Sequence, residues 1–197
     1  LESDEAKTLE LNGKTLTSTT SANYALDSYC PLTIDDSSTA GTGKFVADKV
    51  RECVVYCNGS TLTLNGGTIT MNRTSFVLVL NGTTTTINSD NVKLSSNLAA
   101  IKIVNRSNLI INGNGCDGWK IWNDSGNPSP IQIPNGFHLE DEAGNMLETN
   151  DELPINKYTV IKVDHIHNWS YAANDTADTI TATCDAAGCP KPQQSMT

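Results

Sequence analysis

An eight-residue unit recurs along this chain and constrains its fold more than any other feature. Asn58-Gly59-Ser60-Thr61-Leu62-Thr63-Leu64-Asn65 is matched position by position by Asn81-Gly82-Thr83-Thr84-Thr85-Thr86-Ile87-Asn88 and by Asn105-Arg106-Ser107-Asn108-Leu109-Ile110-Ile111-Asn112. A weaker copy precedes them at Ser28–Asp35, another follows at Asn135–Asp141, and a half-copy, Leu9–Gly13, opens the chain. The full copies start at 28, 58, 81, 105 and 135, steps of 30, 23, 24 and 30 residues. Periods of this size are the mark of solenoids, in which one repeat cannot bury its own apolar face and must stack on the next.

Each copy carries three short strands. An alternating segment precedes the Asn (Val54-Val55-Tyr56, Leu78-Val79-Leu80, Ile101-Lys102-Ile103, and Ile131-Gln132-Ile133). A second follows it (Leu62/Leu64, Ile87, Leu109/Ile111), and a third follows the next Asn (Thr15–Thr17, Thr68–Thr70, Asn91–Leu94). Alternation turns every second side chain inward, and Asn and Gly supply the sharp turns between strands. The expected fold is all-β: a right-handed parallel β-helix of about six short coils over residues 1–141, roughly 28 Å long at about 4.8 Å per layer. Residues 142–197 are expected to form a small C-terminal β cap or hairpin, or the start of a further module. In this register Asn58, Asn81, Asn105 and Asn135 form a structural ladder, each amide bonded to the next. Three of the seven Asn-x-Ser/Thr triplets are also on this register, so the ladder accounts for them without glycosylation.

Composition fits the same picture. Thr, Ser, Asn and Gly dominate over helix formers in a chain of 197 residues. The net charge of −9 argues against a nucleic-acid partner, because a phosphate backbone would be repelled. The longest apolar run, Phe76–Leu80, is strand length, so no membrane span is expected. The first residue is Leu, so the chain reads as a piece of a longer protein whose signal and anchor lie elsewhere.

Trp119 and Trp122, beside Asn123 and Asp124, form the candidate ligand-binding site: an exposed indole stacks on a sugar ring while polar neighbours bond its hydroxyls. The alternative is that one or both indoles plug the core where the coil widens. Cys184 and Cys189 form a possible disulfide; with His165 and His167 they also make a four-ligand set for zinc, and the disulfide is the preferred reading in an extracellular chain. Cys30, Cys53, Cys57 and Cys116 lie among apolar residues and suit buried thiols. The acidic sets Asp35-Asp36, Asp117 with Asp124, and Glu140-Asp141-Glu142 stand on different coils, in turns, which does not suit the paired carboxylates of glycan cleavage. Calcium is the one cofactor that they leave open. His138 has no partner in sequence that would make a nucleophilic triad. No catalytic residue and no metal site is therefore expected.

The segments Thr8–Leu16, Leu32–Ser38 and Thr61–Thr70 resemble the pectin-lyase-like parallel β-helix modules, more narrowly those of large cell-surface, adhesin-like proteins of gut Firmicutes. His167–Tyr171, Thr179–Cys184 and Gly188–Pro190 resemble a short repeat found in the same proteins. The resemblance implies secretion and display on the bacterial surface. It also implies a non-catalytic role in adhesion, glycan binding or spacing, with a host or dietary glycan or a host surface protein as partner. The unit is expected to be a monomer. A truncated polysaccharide lyase or glycoside hydrolase on the same scaffold is the alternative.

Overall fold

A computed structural model describes residues 5–147, 152–163, 169–174, 179–184 and 193–196. The chain divides into two compact units, Leu1–Ile161 and Lys162–Thr197. The first is a parallel β-solenoid of five coils. Coil one is β1 (Lys7–Glu10), β2 (Thr15–Ser18) and β3 (Tyr24–Ser28); coil two is β4 (Leu32–Asp35), β5 (Lys44–Ala47) and β6 (Cys53–Asn58). Coil three is β7 (Thr61–Leu64), β8 (Thr68–Met71) and β9 (Phe76–Asn81); coil four is β10 (Thr84–Ile87), β11 (Lys93–Ser96) and β12 (Ala99–Asn105). Coil five keeps β13 (Asn108–Ile111) and β14 (Lys120–Asn123), but a 3-10 turn, Asn114–Cys116, replaces its middle strand. Like strands of successive coils pair in parallel, giving three sheets along one axis.

The pairing puts like residues over like. Leu9, Ile34, Leu64, Ile87 and Ile111 form one inward row of the first sheet. Leu16, Phe45, Ile69 and Leu94 line the second sheet, and Leu26, Val55, Leu78, Ile101 and Ile121 the third. Full burial of each such side chain contributes about 1.5–3 kcal/mol. The rows loosen only at coil one, which has a neighbour on one side: Leu16 is 43% exposed where Phe45 below it is 2%.

The far end is closed within the same unit. After β15 (Ser129–Gln132), the hairpin β16 (Phe137–Asp141) and β17 (Met146–Leu147) leads to β18 (Glu152–Leu153) and β19 (Asn156–Lys162). β18 pairs antiparallel with β15 and β19 antiparallel with β14, so the edges that coil five presents are occupied. Phe137, Leu139, Leu153, Tyr158 and Val160 fold onto the open core. Capping of this kind is required, because a solenoid end otherwise exposes both apolar surface and unpaired backbone. The first unit thus runs past Asp141, where the repeat stops.

Two details differ from the sequence expectation. Ile131 pairs with Leu109, not with Ile103, so Ile131-Gln132-Ile133 belongs to the first sheet. The role assigned to it falls to β14. The physical reason is that a coil needs an apolar inward row, not a turn Asn: Ile121 supplies the row, while Asn123 pairs with Ile103 and so lies off the ladder register.

In the second unit β20 (Trp169–Asn174) and β21 (Thr179–Cys184) form an antiparallel hairpin, and β22 (Gln193–Met196) pairs antiparallel with β21. His165, His167 and Cys189 lie outside the described residues, as does the side chain of Cys184.

Candidate functional site

The turns hold two amide ladders. Asn81 Nδ2 donates to Asn58 Oδ1 at 2.8 Å, and Asn105 Nδ2 donates to Asn81 Oδ1. The second Asn of each unit does the same: Asn88 Nδ2 to Asn65 Oδ1 at 3.1 Å, and Asn112 Nδ2 to Asn88 Oδ1 at 3.0 Å. This second pile carries the same 23- and 24-residue spacing in the sequence, a signal the first ladder overshadows. Asn135 stands outside both. It occupies the turn between β15 and β16, beyond the last full coil, so no amide lies one layer away to meet it.

The site expected around Trp119 and Trp122 does not assemble. Trp119 is 7% exposed. Its backbone N–H donates to Cys116 O at 3.0 Å and its carbonyl accepts from Val160 N at 2.9 Å, locking it between the 3-10 turn and β19. It belongs to the hydrophobic core, next to the 3-10 turn that replaces the middle strand. Asn123 continues the inward row of Cys57, Leu80 and Ile103 and is buried. An amide at a core position needs partners, and it finds them: Nδ2 donates to Leu153 O (2.7 Å) and Asn127 O (3.1 Å), while Oδ1 accepts from Ser125 Oγ (2.7 Å). Asp124 points outward and pairs with Lys102 Nζ at 2.9 Å. Three of the four residues therefore hold the fold or its surface, and only Trp122 presents an aromatic outside.

Trp122 belongs to a different constellation. The outward row of the third sheet runs Asp27, Tyr56, Val79, Lys102, Trp122 and, across the antiparallel step, Lys157. Aromatic rings flank this row from end to end. Tyr24 stacks on Tyr56 with ring centroids 4.4 Å apart and planes 14° from parallel. Phe76 meets Trp122 edge-on at 5.2 Å. Lys102 Nζ lies 5.4 Å above the Phe76 ring, and Lys157 Nζ 4.5 Å above the Trp122 ring, both within cation–π range. Tyr24, Tyr56, Phe76, Val79 and Lys102, with Arg51 at the rim, line a cleft of about 370 Å³.

Electrostatics on this face favour neutral, donating phenols. The Tyr24 hydroxyl is raised to about 12, by burial first and then by the Glu52 charge and the neighbouring Tyr56. Burial also raises Tyr56, against a hydrogen bond from Asn81 Nδ2 to its oxygen at 2.8 Å. That bond ties the first Asn ladder to the aromatic face. Sequence reasoning missed the face because its members come from different coils. The available signal was an aromatic or cation at the outward position of three strands of the third sheet, Tyr56, Lys102 and Trp122.

The other candidates are structural or local. Cys30, Cys53, Cys57 and Cys116 are buried free thiols. Burial pushes Cys57 and Cys116 up to about 11 and Cys53 higher still. Asp36 accepts backbone hydrogen bonds from Gly13 at 2.7 Å and Gly43 at 2.6 Å, pinning the corners of coils one and two. Asp141 closes its own turn through Asn145 and Ala143. His138 Nε2 lies 2.9 Å from Glu140 Oε1. Among the described residues no three His, Cys, Asp or Glu side chains come together as a metal site, and no helix is long and apolar enough to cross a membrane.

Comparison with protein-family models, with curated proteins and with solved structures finds no match to this chain.

Proposed function

We propose that the chain is a non-catalytic extracellular surface module that binds an extended glycan along the outer face of its third sheet. On the repeat motifs, we place it with the pectin-lyase-like modules of bacterial cell-surface proteins, in an adhesive role. The observation that carries the reading is the line of Tyr24, Tyr56, Phe76 and Trp122 down one outward face, with Lys102 and Lys157 among the rings. Outward aromatics spaced along a rigid sheet offer stacking platforms for successive sugar rings, and the amides and cations beside them offer hydroxyl partners. Rigidity matters, because a preformed face loses little entropy on binding. Three acids from the candidate carboxylate sets are engaged in structural contacts. Asp36 and Asp141 spend their oxygens on backbone donors and Asp124 is paired with Lys102, which leaves no facing acid–base couple among them.

The test is a glycan array followed by titration calorimetry on the best hit, with Trp122→Ala and Tyr56→Phe variants. Trp122→Ala is expected to abolish binding, whereas Tyr56→Phe, which keeps the ring, retains most of it. Uronic-acid or reducing-sugar release is assayed in parallel. Product release by the purified chain would overturn the non-catalytic reading, and an array without hits would overturn glycan binding.

A further inference from the structure

Seven Asn-Gly pairs occur in the chain: Asn12, Asn58, Asn65, Asn81, Asn112, Asn114 and Asn135, each followed by Gly. Such pairs are chemically weak points, since a Gly nitrogen has no side chain to shield it from the preceding Asn amide. The fold treats the seven unequally. Gly13 N donates to Asp36 Oδ1 and Gly59 N to Asn81 O. The side-chain amides of Asn65, Asn81 and Asn112 are held in the two ladders, and that of Asn114 bonds Asp90 Oδ1. Around Gly113 and Gly115 the coil below is in near contact; a Cβ there would lie 2.4 Å from Ser89 and 2.6 Å from Asp90 backbone atoms. Asn135 has neither protection. It is exposed, its amide has no hydrogen-bond partner among the described residues, Gly136 N has none, and Gly136 at φ +83° has open space around it.

We infer that Asn135-Gly136 is a site of spontaneous covalent modification, deamidation through a cyclic imide, and that the stacked coils protect the other six pairs. Solvent hydroxide takes the Gly136 N–H proton. The nitrogen attacks Asn135 Cγ, forming a C–N bond as the Cγ–Nδ2 bond breaks and ammonia leaves with a proton from solvent. Water then opens the imide at either carbonyl, giving Asp or isoaspartate at this position, with no oxidant or reductant involved. The attack needs the backbone to turn Gly136 N onto Cγ. A loop tip can make that rotation; a ladder residue must first break its bond to a neighbouring coil, and Asn81 two such bonds. The isoaspartyl product adds one backbone methylene and one negative charge to the connection between β15 and β16, where Phe137 enters the cap. The cap is therefore the part of the solenoid that ages first.

The experiment is incubation of the folded chain at 37 °C and mildly alkaline pH, then peptide mapping by mass spectrometry with isoaspartyl methylation as a second readout. Asn135 is expected to convert about tenfold or more faster than any other Asn-Gly pair, the effect of roughly one lost hydrogen bond in each protected site. In denaturant the seven sites are expected to converge. Asn135→Gln is expected to remove the leading product while the other six stay unchanged. Conversion at Asn12, Asn58 or Asn81 as fast as at Asn135 in the folded chain would overturn the inference. So would a folded chain in which Asn135 stays intact while denatured chain reacts.

Discussion

Asn81 bonds Asn58 on one side at 2.8 Å and Asn105 on the other, so a single amide ties three successive coils together. The same Nδ2 also reaches Tyr56 Oη at 2.8 Å. One residue thus couples the solenoid's axial order to the aromatic face proposed to bind ligand.

Replacing Asn81 by Ala leaves the Asn58 and Asn105 amides facing an empty layer. The expected loss is about 0.5–1.5 kcal/mol, the net contribution of a hydrogen bond at a part-exposed site. Asn135→Ala, outside the ladder, is expected to change stability by less than about 0.5 kcal/mol. Urea unfolding of both variants checks the contrast; equal losses would dismiss the ladder as a source of stability.

Gly113 and Gly59 make a second contrast. A Cβ on Gly113 would lie 2.4 Å from the backbone carbon and oxygen of Ser89, and backbone has little room to give. Gly59 has open space but a φ of +63°. Gly59→Ala is expected to cost about 1–2 kcal/mol of backbone strain, and Gly113→Ala more, with loss of soluble folded protein. The melting temperatures of the two variants give the order directly.

The two tryptophans should separate in opposite ways. Trp119→Ala removes a core plug and is expected to destabilise by about 3–5 kcal/mol. Trp122→Ala removes a half-buried surface ring and should cost markedly less, while eliminating glycan binding. A stable Trp119→Ala variant would contradict the core role.

Acid stability should report Asp36. Burial opposes its ionisation, but hydrogen bonds from Gly13, Ser38 and Gly43 overcome that and hold its carboxyl below the ordinary value. A carboxyl with a depressed folded-state pKa adds stability that is present above the unfolded value and lost as pH falls through the folded one. Asp36→Asn is expected to flatten this loss below the normal carboxylate range and to lower stability at neutral pH. Denaturation midpoints measured from pH 7 downward check it; parallel curves for variant and parent would refute the assignment.

Alkylation should find the core thiols silent. Cys57 and Cys116 are raised to about 11 by burial and Cys53 beyond, so no reactive thiolate forms at pH 8. Iodoacetamide followed by peptide mapping is expected to label Cys30, Cys53, Cys57 and Cys116 only in denaturant. Native labelling of Cys53 would show that its coil opens.

The sequence by itself determined the coil. Alternation in segments such as Leu62-Thr63-Leu64 sets which side chains turn inward, and the 23- and 24-residue spacing of Asn58, Asn81 and Asn105 sets which residues stack. These are local and periodic properties, so they are written along the chain. Tertiary structure alone decided where the period breaks. In coil five a 3-10 turn replaces the middle strand, and Trp119 beside it is buried. It also decided that Tyr24, Tyr56, Phe76 and Trp122, drawn from four coils, share one face. Neighbours across coils depend on loop lengths and on the register of hydrogen-bonded edges, and no single repeat encodes either.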